Sequence, residues 1–163
     1  MAALERNNES EAVEHMRRAL LMAPKCEDVF RRARLLNARM GEPTSINALE
    51  VLAQKNQADM DELLALVEQA IKSGNRKIAR SAFNKITGKR TVQMTILEMR
   101  LLSMENKMPV AIDLAKKSMS EMDMADAEKV RLALASLILK TDARSAETVL
   151  IPLAESPSFS GIT

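Results

Sequence analysis

The chain has 163 residues, enough for one domain with a substantial core and too few to need two. Hydrophobic residues make up 47% of it, which excludes disorder throughout, and a net charge of +2 gives no global field toward nucleic acid or an anionic membrane. With four Gly, five Pro, no Tyr and no Trp, the composition is drawn from strong helix formers and predicts an all-α protein.

In chain order, the first amphipathic segment runs from about Glu9 to Met22, with Ala12, Met16, Ala19 and Leu20 on one face, and Pro24 stops it. The next, about Glu27 to Met40, places Phe30, Ala33, Leu36 and Met40 on a stripe, and Gly41 supplies a left-handed terminator. Pro43 and Thr44 start its partner, which runs to about Gln54. Asp59 caps a helix carrying Leu63, Leu66, Val67, Ala70 and Ile71 and ending at Gly74; its partner carries Ile78, Ala79, Ala82, Phe83 and Ile86 before Gly88. A fourth pair spans roughly Thr91 to Glu105 and Met108 to Ser120, with Pro109 in a first turn. A fifth spans roughly Ala125 to Lys140 and Asp142 to Ala154, ending near Pro157.

These pairs recur. A residue suited to ending a helix stands five positions ahead of a small or aliphatic one at Asn7 and Ala12, Gly41 and Ile46, Gly74 and Ala79, Asn106 and Ala111, and Thr141 and Ala146. The steps between members are 34, 33, 32 and 35 residues, a period that marks stacked supersecondary units. Alanine returns at the same place because two backbones about 8 to 10 Å apart leave no room for a longer side chain.

At these positions the chain resembles a tetratricopeptide repeat protein. The family pattern of a small residue, a large one four later, a small one three later and a proline five later is met in full by Ala12, Met16, Ala19 and Pro24. It is met in part by Ala79, Phe83 and Ile86, by Ala111, Ala115 and Ser118, and by Ala146, Leu150 and Leu153. The second unit departs, with Ile46 at the small position and Glu50 at the large one; either the phase slips there or that helix packs differently.

The resemblance implies a right-handed α-solenoid of antiparallel helix hairpins, about 4.5 repeats in a single domain over 1–155, with 156–163 as a tail. It implies a concave groove lined by the first helix of each hairpin. Carried over by phase, that groove would present Arg31, Arg32, Leu35 and Arg39, then Leu64, Glu68 and Lys72, then Leu97, Arg100 and Met104. Such a surface suits a protein or peptide partner with an acidic end and an apolar body, because Arg pairs well with carboxylate. Leu35, Leu64 and Leu97 stand where the family's C-terminal carboxylate clamp needs polar groups, so recognition of chaperone tails is not expected. The leading helix of the first unit is a stub around Ala2 to Arg6, which suggests a piece of a larger protein or ends that pack on a second copy.

The expected function is therefore non-enzymatic, a protein-interaction scaffold needing no cofactor. One His and one Cys make no zinc set, no Gly-rich phosphate loop is present, and acidic pairs such as Asp59 with Asp61 fit helix N-termini. The alternative is a nucleic-acid-binding helical repeat using the stretch 72–90, which carries seven basic and no acidic residues. Only Phe83 could stack there, and its spacing places it in the core, so nucleic acid is not the expected partner. Seven of the twelve Met lie between Met94 and Met124, suited to filling irregular cores or to an adaptable surface. Cys26 alone excludes an intrachain disulfide and fits a reducing, cytoplasmic setting. The opening Met-Ala-Ala-Leu-Glu-Arg lacks the apolar core of a secretory signal and Leu132 to Leu139 is far short of a membrane span, so neither a leader nor a membrane segment is expected.

Overall fold

The computed structural model describes residues 26–139 continuously and, before them, residues 11, 14–16, 18, 19, 21 and 22, which are helical. The continuous part is all helix and turn, with no strand among the described residues. Its elements are α1 (Glu27–Arg39), α2 (Pro43–Gln54), α3 (Met60–Lys72), α4 (Arg76–Phe83), α5 (Val92–Met104), α6 (Met108–Glu121) and α7 (Met124–Ile138). The boundaries follow local chemistry. Glu42 caps α2 by accepting the Thr44 and Ser45 N–H groups at 2.9 and 2.6 Å, Asn75 and Thr91 cap α4 and α5, and Asp123 caps α7.

Three expected stops are observed, at Gly41, Gly74 and Asn106, with φ of 86°, 74° and 60°. In each, the left-handed residue and its successor close the last turn in the same way. Gly41 and Glu42 donate back to Ala38 and Asn37, Gly74 and Asn75 to Ile71 and Ala70, and Asn106 and Lys107 to Ser103 and Leu102. An unexpected fourth stop of this kind ends α2, where Asn56 has φ of 56° and Asn56 and Gln57 donate to Ala53 and Leu52. Asn7 and Thr141, with the helix expected over 142–154, lie outside the described residues. A β-carbon on Gly74 would meet nothing within 4 Å. Gly74→Ala should therefore cost about 1 kcal/mol from backbone strain alone, read by urea unfolding. A loss near zero would mean that the turn relaxes.

Among these helices, α1 packs on α2 and α3, α2 on α3, α3 on α4 and α5, α4 on α5, α5 on α6 and α7, and α6 on α7. Each odd-numbered helix thus touches the next odd one, with an even one wedged beside the pair. The core follows that order. Ala38, Leu49, Leu63, Leu66, Val67, Ala82 and Met94 form one cluster around α3, and Met99, Leu102, Ala111, Ala115, Val130 and Leu134 form another between α5 and α7. The small residues expected at close approaches, Ala79, Ala111, Ala115 and Ser118, are buried.

Two sequence expectations are corrected, and two that were left open are decided. Phe30 and Met40 are 50% and 52% exposed rather than core, because the side of α1 joined to α3 and the core around it carries Arg31, Arg34, Leu35 and Ala38 instead. Helix α4 stops at Phe83, short of Ile86, where β-branched Ile86 and Thr87 favour no helix and Lys85 turns back to the end of α2. Ile46 and Glu50 are half-buried, while the buried stripe of α2 falls on Ser45, Leu49 and Ala53. The phase therefore slips by one residue. Because the turn before α2 is built like those before α4 and α6, the slip lies in the face the helix turns inward. The methionines divide, with Met94 and Met99 buried, Met104, Met108, Met119 and Met122 half-buried, and Met124 exposed.

Candidate binding surfaces

The expected groove positions lie on α1, α3 and α5, and the structure separates them into three kinds. Arg32, Arg39 and Arg100 are exposed and make no ion pair among the described residues. Leu35 and Met104 are half-buried, and half-buried Glu68 pairs with exposed Lys72 at 3.0 Å along one face of α3. Leu64 and Leu97 are 4% and 3% exposed and belong to the core around α3, so they offer no wall to a ligand. Their inward turn follows from α3 having neighbours on several sides, which buries eight of its thirteen residues.

Arg31 is a structural residue. Its Nη2 lies 2.6 Å from Glu62 Oε2, its Nε 3.3 Å from Asp59 Oδ2, and it also donates to the Gln57 carbonyl. Arg34 Nη2 reaches the other Glu62 oxygen at 2.9 Å. Glu62 in turn accepts the Asp59 N–H at 3.0 Å while donating its own N–H to Asp59 Oδ1, a capping box folded into an ion-pair cluster. Burial pushes the Glu62 carboxyl up, but the hydrogen bonds from Arg31 and Arg34 outweigh it and hold the group below the usual carboxylate range. The cluster bolts α1 to the start of α3.

A second surface was not foreseen. Two adjoining clefts of about 400 and 520 Å³ run between α2 and α4 over α3, sharing Glu50, Leu66 and Ile78. Ala53, Ala82 and Ala70 join Leu66 in the floor, while Asn47, Gln54, Lys77 and Ser81 stand on the sides. The cleft is a consequence of the slipped phase of α2, which turns Glu50 and Asn47 toward the gap. The departure of Ile46 and Glu50 from the repeat pattern was the signal that could have located it.

The carboxylates set Glu50 apart. Glu62 has its arginines, Glu68 has Lys72, Glu98 has Arg90 at 2.7 Å, and Glu105 has Arg80 at 2.7 Å. Glu42 caps a helix, Asp126 pairs with Lys129, and Glu128 is engaged too. Among the described carboxylates that are not fully exposed, Glu50 stands apart: its one recorded bond is from the Gln54 amide at 3.3 Å.

Part of the basic stretch 72–90 is spent on internal contacts. Arg80 holds Glu105, whose carboxyl that hydrogen bond draws down; Arg90 holds Glu98; Lys85 donates to Ala53 O and Asn56 Oδ1 at 2.7 and 2.6 Å. Phe83, expected in the core, is half-buried against it. His15 is exposed and Cys26 half-buried at the N-cap of α1. Among the described residues no group of His, Cys, Asp and Glu is placed to hold a metal, and no helix is long and apolar enough to cross a membrane. No protein-family model, curated protein or solved structure matches the chain.

Proposed function

We propose that the chain is a tetratricopeptide-like helical repeat, a right-handed solenoid of hairpins, acting as a non-enzymatic scaffold for a protein segment with an acidic end. The observation that carries this reading is the recurrence of one joint. Three hairpins, α1 with α2, α3 with α4, and α5 with α6, share the same left-handed turn, and the first helix of each packs on the first helix of the next. Contacts confined to neighbouring units are the mark of a one-dimensional stack, and such stacks present their first helices as an extended surface. On those helices Arg32, Arg39 and Arg100 are the cations left for a ligand; Arg31 is withdrawn by Glu62.

The test is selection from a displayed peptide library against the intact chain. Enriched peptides should carry Asp or Glu, and reversing charge at Arg32, Arg39 and Arg100 together should weaken them by about a hundredfold while the far-ultraviolet spectrum stays helical. Enrichment of peptides whose affinity ignores the triple reversal would remove the first-helix surface from the proposal. The nucleic-acid alternative gains nothing from a stretch whose Arg80, Lys85 and Arg90 are engaged internally.

A further inference from the structure

We infer that the cleft between α2 and α4 is a second docking groove, whose occupant is an amphipathic helix of a partner protein presenting a basic side chain to Glu50. The walls are built for such an occupant. Pro43, Ile46, Asn47, Glu50 and Ala53 face the cleft from α2 at steps of three and four, so the groove follows a helix of twelve residues, about 18 Å long. The floor and sides include Ala53, Ala70, Ala82 and Ser81, small residues that let a third backbone come close.

Charge selects the occupant. Glu50 lines both halves of the cleft and has no cationic partner among the described residues, whereas the other half-buried carboxylates described are engaged. An arginine or lysine from outside would lay its aliphatic stem on Leu66 and Ile78 and set its charge on Glu50. The neighbouring cations do not fill that role. Lys72 is held by Glu68, and Lys85 by Ala53 O and Asn56. Lys77, on the opposite wall, has no ion pair among the described residues, so it favours an acidic residue about one turn from the partner's basic one.

The experiment is panning of a displayed library of helical peptides on the full chain carrying the Arg32, Arg39 and Arg100 reversals, which disables the first-helix surface and leaves the cleft intact. The expected result is enrichment of peptides with a central Arg or Lys. Their affinity should fall about tenfold on Glu50→Gln, which keeps side-chain shape and removes the charge. Backbone amide shifts on peptide binding should concentrate at Ile46, Glu50 and Ile78. No enrichment, enrichment without a basic residue, or affinity equal on Glu50→Gln would each overturn the inference. Since the triple reversal is already present, those outcomes leave the first-helix proposal standing.

Discussion

Glu62→Ala is expected to lower the unfolding free energy by about 3 kcal/mol, which for a chain of this size lowers the melting temperature by roughly 6 to 12 °C. The Glu62 side chain is wholly buried, and its loss strands Arg31 and Arg34, whose side chains remain 39% and 30% exposed. That exposure lets the arginines recover some hydration, which places the effect at the lower end of what breaking a buried pair costs. By contrast Glu68→Ala, which opens a partly exposed pair with Lys72 within one helix, should cost only about 0.5 kcal/mol. Urea unfolding followed by helical ellipticity distinguishes the two. A loss below about 1 kcal/mol for Glu62→Ala would mean that the cluster does not join α1 to α3.

The same cluster sets part of the acid response. Glu62, Glu105 and Glu42 all lie below their ordinary value of 4.5 in the folded chain, Glu42 at about 2 because Ser45 and then Thr44 hydrogen-bond its carboxylate. A depressed carboxyl binds fewer protons folded than unfolded, so its contribution is complete above 4.5 and is lost as pH falls through the folded value. Stability should accordingly be flat above pH 4.5 from these groups and fall between 4.5 and 2. The fall should be shallower in Glu62→Ala.

What was legible in the sequence was what a few adjacent residues decide. Left-handed turns at Gly41, Gly74 and Asn106, the Asp59 cap and the Pro43 start are local events, and each is found where the residues indicate. Asn56 escaped notice because Asn in a left-handed turn carries a weaker signature than Gly. The surface was less legible, since which side of a helix faces water depends on how many neighbours it has. Leu64 and Leu97 were assigned outward by phase, yet α3 and α5 are flanked by enough helices to bury both. Arg31 was counted as a free cation because its partner stands 31 residues away on another helix. The cleft arose from a one-residue change of face in α2, which pattern matching registered as a misfit at Ile46 and Glu50 without the shape it leaves behind.

That slip has a mutational consequence as large as any in the core after Glu62. At Ala111, buried where α6 meets α5 and α7, a larger side chain has no space, so Ala111→Leu should destabilise the chain by about 2 to 3 kcal/mol. If the small place in α2 were five residues after its turn residue, as in α4 and α6, Ile46 would occupy it and tolerate no enlargement. The structure puts buried Ser45 there instead, with Ile46 half-buried at the edge of the cleft. Ser45→Leu should therefore cost about as much as Ala111→Leu, while Ile46→Leu, volume-conserving at a site with open space beside it, should change stability by less than about 1 kcal/mol. Measuring the three variants by chemical unfolding decides the phase. Were Ser45→Leu tolerated and Ile46→Leu damaging, α2 would turn the expected face inward, Glu50 would leave the cleft, and the second groove would close with it.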